Sequence, residues 1–184
     1  VFAIDVFNSG PNDAWNETIQ DVLPNGATGG LCDATPQVLS ARVFAADGVT
    51  PVPGKGPLVA GSDYTFSYAG APTCTLTLAM LSPAAVIGPD ERLIITYQSQ
   101  LDVDSQDGVA LTNIAGATEW FDGESSASNR VTFTRTLTDG TPWSLIAKTL
   151  HPASESPYFE MIPEEHREPT MAALNWRDEP RMYR

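Results

Sequence analysis

Apolar and polar residues alternate at period two along most of this chain, the pattern of strands with one buried face. Phe2, Ile4 and Val6 alternate with Ala3, Asp5 and Phe7. Residues 17–23 follow, with Ile19, Asp21 and Leu23 on one face, then a glycine-rich turn at 26–30. Residues 37–45 place Leu39, Ala41 and Val43 together, and 47–61 is a Pro- and Gly-rich loop or hairpin. Strands are predicted at 63–68 and 73–81, where Cys74, Leu76, Leu78 and Met80 share a face. The longest clean strand is 92–103, with Leu93, Ile95, Tyr97 and Ser99 alternating against Ile94, Thr96 and Gln98. After a turn at 104–108 come strands at 109–121 and 131–137, separated by a polar loop at 122–129, and a turn at Asp139 and Gly140.

Short strands with Gly, Pro, Asn and Asp between them predict an all-β fold, an Ig-like antiparallel β-sandwich. Helix period is weak except near 169–176. From Pro152 onward the chain is rich in proline and charge without strand alternation, so a mostly irregular C-terminal arm is expected. The expected division is a sandwich domain over 1–142 and a C-terminal strand and arm over 143–184.

Composition narrows the function. A net charge of −13 in 184 residues argues against nucleic acid, whose phosphates require Lys and Arg stripes, and against anionic membrane surfaces. The sequence has no run of 18 apolar residues, so no membrane insertion is expected. It opens at Val1 and reads as a mature or excised product. Cys32 and Cys74 are the whole cysteine complement, without Cys-x-x-Cys spacing or a His cluster. A disulfide in an oxidising compartment is the favoured reading, with two separate buried thiols as the alternative.

The opening run VFAIDVFNSGPNDAWNETIQDVLP carries Val6, Asn8, Gly10 and Pro11, then Ile19, Asp21, Leu23, Pro24 and Gly26. It resembles a prokaryotic surface-repeat domain of unknown function with the pattern V-x-N-x-G-P … V-x-D-x-L-P-x-G. The likeness extends through the Thr-Asn of LTNIAGATEW, over about 1–141. The resemblance implies an extracellular structural module at the bacterial cell surface, not an enzyme. In the same family L-x-V-x-K-T-x-x-P opens each domain, and Ile146, Lys148, Thr149 and Pro152 fall on it, with Ser144 departing at the leucine position. By that pattern Val1 stands at the second strand, so the chain reads as out of register with the repeat. Ser144, Leu145, Ile146, Ala147, Lys148, Thr149 and Leu150 then form a spare strand, which either closes its own sheet or joins a neighbouring copy head to tail.

Three constellations could carry chemistry. Lys148, Asn113 and Asp21 each lie on an apolar face by period-two reasoning, and isolated burial of such groups is costly. They are the ingredients of the self-formed isopeptide bond of Gram-positive-type pilin domains. Desolvation makes a buried Lys a neutral nucleophile, a protonated Asp polarises the Asn amide, and attack expels ammonia. The milder reading has Asp21 and Asn113 bonding nearby backbone while Lys148 snorkels. Asp102, Asp104, Gln106 and Asp107 offer oxygen ligands at a strand turn, a weak calcium candidate that misses EF-hand spacing. Trp15, Trp120, Trp143 and Phe121 could stack on sugar or anchor the core. A sugar- or calcium-binding adhesin module is the alternative function. No other cofactor is expected. Asn16, Glu17 and Thr18 spell a glycosylation sequon, and His151 and His166 are isolated. Nothing has triad, thiol-nucleophile or phosphate-loop character, so an enzyme has no residues to stand on.

Overall fold

The computed structural model describes residues 1–108 and 110–137. The spare strand 144–150, Lys148, Trp143 and the arm lie outside the described residues, as does the boundary near 142. What is described is an all-β, antiparallel sandwich of the expected Ig-like kind. Its strands are β1 (Phe2–Phe7), β2 (Trp15–Val22), β3 (Asn25–Gly26), β4 (Gly29–Gly30) and β5 (Gln37–Phe44). They continue with β6 (Tyr64–Ala69), β7 (Thr75–Met80), β8 (Arg92–Gln98), β9 (Ile114–Phe121) and β10 (Thr132–Thr134). One short 3-10 turn, Pro83–Ala85, is the only helical element among the described residues.

Two sheets face each other. One runs β1-β8-β5, the other β10-β9-β2-β7-β6, and β3 and β4 form a small ribbon beside them. Ile4, Ile19, Leu76, Leu78, Leu93, Ile95 and Tyr97 have no exposed surface and fill the space between. These are the inward positions that the alternation marked, because a side-chain period of two sends every second residue to one face.

The departures have local causes. Leu39 was expected inward with Ala41 and Val43, yet it is exposed while the other two are buried. The pairing of β5 with β8 shifts register between Val38 and Ser40, and one extra residue moves a side chain to the other face. The predicted 92–103 strand ends at Gln98, after which Leu101 and Val103 are exposed. Of the predicted 109–121 and 131–137, only Ile114–Phe121 and Thr132–Thr134 form strands. The 47–61 stretch lies along β5. The Val43 amide donates to the Lys55 carbonyl, Val52 to Val43, and Leu58 to Ala41. That covers the edge of β5. No described strand pairs with the far edge of β1.

Candidate functional site

The interior holds a polar centre on two neighbouring levels of the facing sheets. Asp21 points inward from β2 between Ile19 and Leu23 and has no exposed surface. Opposite, Tyr97 of β8 is equally buried, and its hydroxyl donates to Asp21 Oδ2 at 2.5 Å. Asn113, just before β9, donates from Nδ2 to the same Tyr97 oxygen at 3.1 Å. Asn113 Oδ1 is buried without a hydrogen bond among the described residues. Two of the three candidate cross-link residues are thus brought together through Tyr97. The third, Lys148, lies outside the described residues. Burial, then the charge and hydrogen bond of Asp21, push the Tyr97 hydroxyl far above the usual phenol value. Tyr97 was visible only as an inward member of an alternating strand. Its role needed the sheets to be stacked.

A second buried acid went unnoticed in the sequence. Glu17 is 1% exposed. Asn16 adopts φ +48°, a left-handed conformation that Asn tolerates, and the pairing of β2 with β9 shifts register on either side of Thr18. Glu17 nevertheless keeps the parity of Ile19 and Asp21, so the period of two that turns those residues inward turns Glu17 inward as well. Burial pushes its carboxyl up to about 8, against nearby backbone amides and the Lys55 charge, which act the other way. Lys55 itself donates to the Val86 carbonyl at 3.0 Å and pairs with Glu91 Oε2 at 2.5 Å. Glu91 in turn accepts from the Gly88 amide.

The disulfide is present: Cys32 and Cys74 are bonded across 42 residues. It fastens the segment after β4 to the start of β7. Asp102 anchors the same corner, its carboxylate accepting the Cys32 amide at 3.0 Å and the Asp33 amide at 2.8 Å. Gly30 makes room, since a Cβ there would lie 2.4 Å from the Pro24 carbonyl and 2.6 Å from Asp102 Oδ2. Tyr68 closes the corner by donating to the Cys32 carbonyl. These contacts bear on the calcium candidate. Asp102 is committed to backbone amides, and no group of three His, Cys, Asp or Glu suited to a metal occurs among the described residues.

The Asn16 sequon is engaged inside the fold. Asn16 Nδ2 donates to the Met80 carbonyl, and Oδ1 accepts from Arg130. The aromatics divide. Trp120 packs against the core and stacks on Phe133, whereas Phe121 carries the Arg130 guanidinium over its face.

Fold and interior together define a disulfide-bonded, antiparallel β-sandwich with a buried carboxylate, phenol and amide at its centre. Against known proteins, the chain matches no family model, no curated protein and no solved structure. No helix among the described residues is long and apolar enough to cross a membrane.

Proposed function

We propose that this chain is a structural module of a prokaryotic extracellular fibre or filament, joined head to tail to copies of itself by strand donation. One observation carries the reading. β1 is the rim strand of the narrower sheet and lies across from β9, whereas β10 extends the wider sheet one strand further. Among the described residues no strand lies beyond β1 in that sheet, and Phe133 of β10, stacked on Trp120, is 42% exposed. Rim strands attract pairing, and an added strand gains main-chain hydrogen bonds while its alternate side chains fill pockets. Residues 144–150 of a neighbouring copy are the proposed occupant, with Ile146 and Leu150 turned inward. Lys148 between them is the residue proposed to meet Asp21 and Asn113. Should its amine attack the Asn113 amide carbon, a C–N bond forms, the amide C–N bond breaks and ammonia leaves. The disulfide supports an oxidising, extracellular setting.

Deletion of 143–184 tests this. Negative-stain microscopy should show fibres from the intact chain and none from the truncated one. Fibres of normal length and stability after truncation would sink the strand-donation reading. A monomeric intact chain that binds a glycan array would favour the adhesin alternative. Intact mass, read on denatured fibres, reports whether ammonia is lost.

A further inference from the structure

We infer that Glu17, Lys55 and Glu91 form a proton-operated latch that holds the 50–58 segment over the edge of β5 while Glu17 is protonated and loosens it when Glu17 ionises.

The placement of three side chains carries this. Glu17 sits inside the sandwich at the irregular start of β2, and neither of its carboxyl oxygens makes a hydrogen bond of good geometry. A carboxyl in that setting keeps its proton, because ionisation would bury a charge with little compensation. Its inward neighbours on β7, Leu78 and Met80, carry no charge. Glu119 of β9 pairs with Thr18 and so belongs to the outer face. Among the described residues the cation whose field reaches Glu17 is Lys55: its ammonium sits on the Val86 carbonyl, one residue from the Ile87 backbone that faces Glu17, and is held there by Glu91.

Lys55 belongs to the segment that shields β5. Its own carbonyl accepts the Val43 amide, and Ala45, Val52 and Leu58 make the adjoining bonds. With Glu17 neutral, the Lys55 ammonium stays on Glu91 and the segment is pinned. With Glu17 ionised, a buried carboxylate competes for the same ammonium. Moving it inward costs the Glu91 pair and pulls the Lys55 backbone away from Val43. The rim of β5 is then uncovered, and an uncovered rim is a pairing surface. This inference does not depend on the strand-donation reading, which concerns β1.

Amide hydrogen exchange of the full chain and of Glu17→Gln, compared with each other at each pH, tests it. The amides to follow are those of Val43, Ala45, Val52 and Leu58, with β7 as the internal control. At about pH 6 the two proteins should match within roughly twofold. At about pH 9 the wild type should exchange roughly tenfold faster than Glu17→Gln at those four amides, and its protection there should fall below that of its own β7, which opens with global unfolding. Matching exchange at both pH values overturns the latch. So does equal protection at those amides and in β7 of the wild type at about pH 9, which would mean that the segment opens only with global unfolding. If Glu17→Gln fails to fold, carbon-detected titration of the wild-type Glu17 carboxyl decides. A midpoint in the ordinary carboxylate range overturns the inference. A raised midpoint shared by the Lys55 amide signal supports it.

Discussion

Single side chains set the chemistry of this interior, and Glu17 shows how burial turns into pH dependence. The folded carboxyl holds its proton up to about 8, whereas the unfolded chain releases it near 4.5. Between those values the folded state binds more protons, so stability falls as pH rises through the window. Below 4.5 both states are protonated and the effect vanishes. Glu17→Gln should therefore change the melting temperature little near pH 4.5 and raise it clearly by pH 8. The gain at pH 8 should be on the order of 3–5 kcal/mol before structural relaxation. Thermal melts of both proteins across that range check the sign. Tyr97 makes a complementary case. Its hydroxyl links Asp21 to Asn113, so Tyr97→Phe should cost roughly 1–3 kcal/mol in urea unfolding. Neither effect was legible from residue type alone. Alternation put Tyr97 and Asp21 on inward faces, but which inward residues meet depends on how the two sheets stack.

At the scale of elements, a single register shift separates what alternation predicts from what packing allows. Leu39 and Ala41 share a parity in sequence, yet only Ala41 is buried. Leu39→Lys should change stability by less than about 0.5 kcal/mol, whereas Ala41→Lys should prevent folding, because it would bury an ammonium in the core. Circular dichroism and denaturant melts of the two variants distinguish them. The corner around the disulfide is a second element-level device. Closing a 42-residue loop should contribute roughly 4 kcal/mol by restricting the unfolded chain. The Cys32→Ser, Cys74→Ser double variant should therefore melt well below the native protein. Asp102 works on the same corner from the far end of the chain. Asp102→Ala should lower stability too, and added calcium should restore nothing. The pairing of the cysteines was readable from their number and setting. The duty of Asp102 was not, since an acidic turn in sequence looks alike whether it faces water, metal or backbone amides.

Across the whole molecule, the two edges of the narrower sheet are treated differently. The 50–58 segment covers β5, while the space beside β1, where no described strand pairs, is the one proposed for the donor strand. Self-association through that space should strengthen with added salt, because copies that each carry a net charge of −13 repel one another until screened. Light scattering at low and moderate ionic strength measures this. Loss of association on screening would argue for an electrostatic contact and against strand pairing.

The sequence by itself determined the fold class, the strands with clean alternation, the disulfide partners and the inward course of Asp21 and Tyr97. Each follows from local rules: a period of two, turn chemistry, and two cysteines with no other use. Tertiary structure decided the rest. It brought Asn113 to Tyr97, turned Leu39 outward and committed Asp102 to backbone amides. Those outcomes depend on register shifts and on contacts between residues far apart in the chain, as with the 76 residues that separate Asp21 from Tyr97. Pattern along a chain says which face a side chain takes within its own strand. Only the packing of one sheet on the other says what it meets there.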